Sequence, residues 1–453
     1  MQTSSGHPAS STGLGCKLSL LTATAIAVAD MVGIGVFTSL GFQVGGDATP
    51  FSVLMLWVVG GVAAMCGALC YAELAAAFPR SGGEYNLLSR IYHPVVGFIA
   101  GWISATVGFA APIALAALAF GEYGRTLFPG ASPILLANGI VWAVALVQLT
   151  GINGSAKFQN ISTILKIVLI AGLILAGLVF GEPQPISFAP SAGDASYILS
   201  AAFAVNLVFV MYAYSGWNAA TYIMSEVHEP ERNVPRAMFV ATLIVLVLYV
   251  AFNAVILMTT PISALAGQID VAQIAGRHVF GEMGGKAVAA VISIGLISAI
   301  SAMIWLGSRV IETMGDDHKL LSVFSRTNTG GAPTRAIVFQ CAVATLLLTT
   351  RSFETVLDYV QFSLTFCSFL VVLGLIVLRI RQPNLVRPYR TWGYPFTPLI
   401  FLGITAFMMY YLLTERPVQS LLGLATMLAG AVVFYLAQFQ LSQSEALGEV
   451  DRV

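Results

Sequence analysis

The chain has 453 residues, of which 57% are hydrophobic and only 9% charged. A soluble protein carries about 25% charged residues, so this chain cannot cover a water-facing surface. Lysine plus arginine balance aspartate plus glutamate at 21 each, and no basic stripe with interleaved aromatics suggests a nucleic-acid partner.

In chain order, residues 1–16 are polar, rich in Ser, Thr and Gly, and read as a short tail. They lack the basic region and small-residue cleavage site of a signal peptide. Apolar segments of membrane length follow, since a spanning helix needs roughly 20 apolar residues. Twelve are expected, at 17–43, 51–78, 92–120, 133–151, 157–181, 195–226, 236–260, 287–314, 334–350, 354–381, 396–413 and 418–438. The fold class is therefore all-α and polytopic. The short alternating segments of a β-barrel are absent. Residues 439–453 form a second tail.

Counting Lys and Arg orients the chain. With the N-terminus inside, fifteen of them, including Lys17, Lys157 and Arg452, fall in inner segments and five in outer loops. Both termini are expected in the cytoplasm of a cell held by its inner or plasma membrane. No Walker-type phosphate loop and no catalytic triad is present, so neither ATP hydrolysis nor enzymatic chemistry is expected. Cys16, Cys66, Cys70, Cys341 and Cys367 read as small buried hydrophobes. No metal or other cofactor is expected.

The first span contains Asp30 followed by Met31-Val-Gly-Ile-Gly-Val-Phe37. A charge and two glycines at the centre of a span point to a broken helix. Span 6 is interrupted by Tyr214-Ser-Gly-Trp-Asn218. Matched breaks in corresponding positions of two halves point to a transporter site. The first repeat is read as 17–181 and the second as 195–381. Five spans is an odd number, so the repeats insert with opposite topology, and 396–438 adds two further helices.

Breaking a helix in lipid frees backbone groups. The first half of span 1 ends near Val32, and its carbonyls at Met31 and Val32 suit a cation. Past Gly33, the N–H groups of Ile34, Gly35 and Val36 open a second half and suit an anion. Span 6 offers carbonyls at Tyr212–Ser215. Together these match the ammonium and carboxylate of an α-amino acid.

These stretches, with Tyr71-Ala-Glu-Leu, Phe78-Pro-Arg-Ser-Gly-Gly-Glu-Tyr85, Tyr212-Ala-Tyr-Ser-Gly-Trp-Asn218 running to Arg236, and Gly307-Ser-Arg309, resemble the amino acid–polyamine–organocation transporter superfamily. The Gly-Trp-Asn of span 6 is most similar to its L-type and related bacterial amino-acid exchangers. The resemblance implies the leucine-transporter-like fold and alternating access, with spans 1, 2, 6 and 7 rocking against 3, 4, 8 and 9. It implies that the carbonyls of Met31, Tyr212 and Ser215 bind the substrate amine. The N–H groups of Ile34 and Gly35 would bind its carboxylate. Tyr212 would gate the site, and Gly216, Trp217 and Asn218 would surround it.

Lys166 is the one basic residue buried in a span, ten residues into it. The resemblance implies that it replaces a sodium ion and braces span 1 against span 8. Asp30 departs from the family pattern, where a neutral residue is usual. Three roles are open to it: a bridge to Lys166, a cap for freed N–H groups, or a proton carrier. Glu73 and Glu84 flank an expected inner loop, and Glu226 and Arg232 belong to a second charged cluster. Glu73, Glu226, Arg232 and Tyr212 are the gate candidates. The expectation is a sodium-independent carrier of neutral L-amino acids. A proton-coupled amino acid or amine symporter and a non-transporting amino-acid sensor are the alternatives.

Overall fold

The computed structural model describes residues 18–80, 82–149 and 152–450, excluding the side chains of 152–163, 225 and 439–450. The tail 1–16, Lys17, the side chain of Lys157 and Arg452 lie outside the described residues. Among those residues there is no strand, only a single bridge between Leu18 and Val227.

Span 1 is two helices. α1 (Leu20–Met31) starts at Ser19, whose hydroxyl accepts from the Thr22 N–H, and ends with Val32 as its cap. α2 (Gly35–Gln43) resumes after a three-residue break. α3 (Pro50–Ala77) opens on a capping box in which Thr49 and Ser52 satisfy each other's backbone N–H. Gly82 and Gly83 then turn the chain at φ +115° and +52°, a region that favours glycine. α4 (Gly83–Ile91) follows, and His93 caps α5 (Pro94–Ile103).

A π-helical turn at Ser104–Gly108 separates α5 from α6 (Ala110–Leu127). Pro112 explains it: proline has no N–H and its ring collides with the carbonyl four residues back, here that of Gly108. α7 (Pro133–Leu149) and α8 (Ile152–Phe180) complete the first half.

The second half enters through α9 (Asp194–Ile198) and α10 (Ala201–Tyr214), the latter capped by Ser200. The chain breaks at Ser215–Asn218 and continues as a 3-10 helix, Ala219–Glu226, rather than an α-helix. α11 (Pro230–Thr259), α12 (Ile262–Leu265) and α13 (Val271–Asp317) follow, α13 bending at Gly281 where φ is +73°. α14 (Thr334–Leu348), α15 (Phe353–Arg381), α16 (Phe396–Glu415) and α17 (Pro417–Val450) finish the chain. α17 carries helix into the segment read as the tail 439–453.

Eight helices among the described residues are long and apolar enough to cross a membrane. Shorter apolar helices at Pro133–Leu149, Ile164–Phe180 and Thr334–Leu348, with the broken α10, stand where the other four spans are expected. Large apolar side chains such as Leu135, Leu175 and Leu428 face outward, as a lipid solvent permits. The described cysteines, Cys66, Cys70, Cys341 and Cys367, are buried and free.

Two groups of helices dominate the packing. α11 lies on α3 and α1, and α10 on α3. α13 lies on α6, α8 and α14, and α7 packs on α6. The breaks sit where the groups meet. One end of the bundle carries Arg80, Arg232, Arg236, Arg379 and Arg387 and is called here the basic face. Thr49 and Asp194 mark the opposite face.

Candidate functional site: two facing helix breaks

The breaks pack on each other reciprocally. A methyl group on Gly35 would lie 2.5 Å from Cα of Ala213, and one on Gly216 would lie 2.6 Å from Oδ2 of Asp30. The start of α2 thus presses on the end of α10. The turn after α10 presses on the end of α1. Glycine is required at both contacts, and Gly216 also has φ +101°.

A cavity of about 90 Å³ opens beside this crossing. That is room for several waters, at about 10–15 Å³ each. Asp30, Ser215, Gly216, Trp217 and Asn218 form one wall. The π-helical turn supplies Ser104, Gly108 and Phe109, so the defect forced by Pro112 shapes the opposite wall. Met303 of α13 and Gln361, Thr365 and Ser368 of α15 close the sides, with Glu84 and Phe401 also contributing.

Met31, Val32, Gly33, Ile34, Gly35 and Tyr212 do not line this cavity. Two of their carbonyls, those of Met31 and Tyr212, are occupied locally. The Met31 carbonyl accepts from the N–H of Gly33 at 2.7 Å and the hydroxyl of Tyr249 at 2.6 Å. The Tyr212 carbonyl accepts from both the N–H and the hydroxyl of Ser215, at 3.0 and 2.6 Å. A carbonyl has two lone pairs, so both are used. Of the three carbonyls expected to meet an amine, that of Ser215 alone accepts nothing among the described residues. In this conformation the carbonyls of Met31 and Tyr212 are satisfied within the breaks.

Lys166 is only 2% exposed. Its stem lies over Gly295 of α13, 3.2 Å from where a β-carbon would be, and its Nζ donates to the Ala29 carbonyl at 3.4 Å. The side chain therefore reaches from α8 past α13 to the last turn of α1. No ion pair within 4 Å joins it to Asp30 among the described residues. The Asp30 carboxylate likewise accepts no hydrogen bond there, although the two buried groups act on each other electrostatically. That carboxylate rests against Gly216 at the cavity wall.

Glu84, expected to flank an inner loop, is buried in the cavity lining. The Tyr71 hydroxyl donates to it at 2.5 Å and the Ser368 hydroxyl at 2.9 Å. Tyr71 in turn stands edge-on to Trp217, with centroids 4.7 Å apart. The lining contains two carboxylates and no Lys, Arg or His.

The gate candidates separate. Tyr212 sits on the opposite-face side, where its ring meets Phe353 at 6.5 Å. Phe42 stacks on Phe209 at 5.0 Å and on Phe353 at 5.9 Å, completing an aromatic plug. Glu73 is 1% exposed and held by Arg379 at 2.5 Å, Arg387 at 3.3 Å and the Thr391 N–H at 2.7 Å. It pins the segment after α15 to α3. Arg232 meets Glu229 at 3.8 Å with both side chains exposed, and the Glu226 carbonyl accepts from the Leu18 N–H at 2.8 Å. A different pair crosses between the helix groups at the basic face. Arg80 binds Asp317 at 2.9 Å, and the Tyr85 hydroxyl donates to the same carboxylate at 2.7 Å.

Sequence reasoning missed Tyr249. A signal was present: Tyr249 and Asn253 are the only polar residues between Thr242 and Thr259, one turn apart on one helix. Asp317 carried no such signal.

Among known proteins, a family model described as amino acid permease matches residues 18–434. The chain is 30% identical over 437 residues to the large neutral amino acids transporter small subunit 2 of Mus musculus, covering 93% of this chain and 81% of the relative. It is 25% identical over 449 residues to the Asc-type amino acid transporter 1 of Mus musculus, covering 95% and 83%. It is also 25% identical over 433 residues to the b(0,+)-type amino acid transporter 1 of Mus musculus, covering 94% and 88%.

Proposed function

Because the chain belongs to the amino acid permease family, we propose that it is a sodium-independent carrier of neutral L-amino acids that works by alternating access. The observation that carries this reading is the reciprocal packing of two helix breaks beside one cavity. Backbone at a break can grip the ammonium and carboxylate common to all α-amino acids and leave the side chain to the walls. The apolar part of those walls includes Phe109, Met211, Trp217, Met303, Leu364 and Phe401, which favours a neutral side chain. The names of the relatives, one of them a large neutral amino acids transporter, support the same class.

Substrate entry requires the self-satisfied carbonyls of Met31 and Tyr212 to exchange Tyr249 and Ser215 for the amine. Exchange of one donor set for another keeps the backbone paired throughout, which a low-dielectric interior demands. Lys166 holds the last turn of α1 with a fixed ammonium, at a place where a mobile cation would otherwise be needed. This supports independence from sodium. The two groups of packed helices are the bodies that move, with the aromatic plug closing one side and the Arg80–Asp317 contact closing the other. Twelve crossings in a 5+5 inverted repeat, in a cell membrane with the basic face cytoplasmic, fit the Lys and Arg distribution.

Proteoliposomes loaded with unlabelled leucine or alanine test this. Labelled substrate should accumulate by counterflow, equally in sodium and in choline buffer. Absence of counterflow with every neutral amino acid, or loss of it in choline, sinks the reading. Flux of any kind excludes a sensor.

A second reading is favoured by one observation: the Asp30 carboxylate lines the cavity without a hydrogen-bond partner among the described residues. Proton-coupled symport through Asp30 predicts uptake driven by a pH gradient without internal substrate. Unchanged pH dependence in Asp30→Asn removes Asp30 as the proton site.

A further inference from the structure

A second and larger cavity, of about 510 Å³, lies at the basic face, away from the helix breaks. One side is the first turns of α11, with Glu231, Arg232, Arg236, Phe239 and Val240. The other side is the segment between α15 and α16, with Pro388, Tyr389 and Trp392, and Leu69 of α3 forms part of the lining. We propose that this crevice binds the headgroup of an anionic phospholipid, with the acyl chains running along α11.

The polarity of one helix face carries the argument. Arg232 and Arg236 are four residues apart and share that face. Phe239 and Val240 follow one turn further on. Val240, Leu243, Ile244 and Val247 then continue the stripe, all exposed and all aliphatic. Two guanidinium groups followed by an apolar track match a phosphate followed by hydrocarbon. The Phe239 and Trp392 rings meet at 5.5 Å where the two regions join. Trp392 is 61% exposed there, and tryptophan favours that depth in a bilayer.

The charge balance selects an anion. Arg232 has one loose partner, Glu229 at 3.8 Å. Arg236 forms no ion pair among the described residues. Glu231 also lines the crevice and opposes a phosphate, leaving a formal excess of one positive charge among the lining residues. Arg390, in the same segment between Tyr389 and Trp392, is likewise exposed and unpaired among the described residues. Arg387 does not count, because Glu73 and backbone carbonyls engage it. Basic pockets between membrane helices at a cytoplasmic face are the kind that hold anionic headgroups.

The segment that forms one wall also supplies Arg387 and Thr391 to Glu73 of α3. A lipid seated here would touch α11 and, through that segment, α3. Both belong to the group of helices that packs on α1.

The test is native mass spectrometry of the detergent-purified full chain, given equal amounts of phosphatidylglycerol, phosphatidylethanolamine and phosphatidylcholine. Phosphatidylglycerol adducts should predominate. The doubly substituted Arg232→Gln/Arg236→Gln protein should lose that preference by about thirtyfold, taking about fivefold for each arginine near the surface. Arg236→Lys, which keeps the charge, should retain most of it, and this separates loss of binding from loss of fold. Equal retention of phosphatidylethanolamine, whose ammonium would suit Glu231, overturns the anionic assignment. A preference that persists in the double variant overturns the location. Displacement of the lipid by an equal concentration of glycerol phosphate shows a site for soluble phosphate and overturns the lipid claim.

Discussion

The hydroxyl of Tyr249 donates to the carbonyl of Met31 at 2.6 Å, and it stands 3.2 Å from the carbonyl of Ala213. One side chain on the unbroken α11 therefore ties together the ends of α1 and α10. Tyr249→Phe keeps the ring and deletes the tie. Leaving buried carbonyls short of a donor costs about 1–3 kcal/mol. The variant should melt at lower temperature in detergent and show slower counterflow. An unchanged melt would mean that the hydroxyl holds nothing.

The glycines at the breaks should differ sharply in tolerance. Gly216→Ala places a methyl 2.6 Å from Asp30 Oδ2 and 2.9 Å from the Asp30 backbone carbon, at φ +101°. A side chain in that backbone region alone costs about 1–3 kcal/mol, and the collision adds to it. Gly33→Ala meets nothing closer than the Met31 carbonyl at 3.9 Å. Counterflow should be lost in Gly216→Ala and kept in Gly33→Ala. Equal loss in both would indicate that flexibility, rather than close packing, is what the glycines provide.

The breaks were legible because each interrupts an apolar run with glycine, a local signal at 33–35 and at 216. Lys166 was legible as a lone charge in a span. Glu84 was legible only as a residue flanking the Gly82-Gly83 turn; its place at the cavity depends on Ser368, 284 residues away. The environment of Glu73 was unreadable for the same reason. Its main partner, Arg379, lies 306 residues away, and only the folded chain brings them together. The π-helical turn was foreseeable from Pro112, but which wall it would shape was not.

That Glu73 cluster gives a third prediction. Arg379 makes a two-pronged contact with the carboxylate and lies 3.8 Å over the Tyr394 ring. Arg379→Met leaves a buried carboxylate with Arg387 and one N–H. Removing one partner of a buried pair costs about 3–5 kcal/mol. Arg379→Lys keeps the charge but not the planar fork, so its melting temperature should fall between those of Arg379→Met and the unaltered protein. A lysine variant as unstable as the methionine variant would assign the effect to geometry rather than charge.

At the opposite face, Asp194 ties the approach to α10 onto the start of α3. The Thr49 hydroxyl donates to one carboxylate oxygen at 2.5 Å, and the Ser191 N–H and hydroxyl donate to the other at 2.6 and 2.8 Å. The Thr49 contact, and then the Ser191 N–H, hold the Asp194 carboxyl below its ordinary value. A carboxylate whose pKa is depressed on folding adds stability that is fully present above the unfolded pKa. That stability is lost as pH falls through the folded one. The clasp is therefore intact at neutral pH and weakens only in acid. Melting curves of the unaltered protein should show a falling limb below the ordinary aspartate range, about pH 4. Asp194→Asn should melt lower at pH 7 and lose the part of the limb that Asp194 contributes. If the two proteins keep parallel pH profiles down to pH 3, the clasp has no part in acid stability, and Thr49 serves only to cap α3.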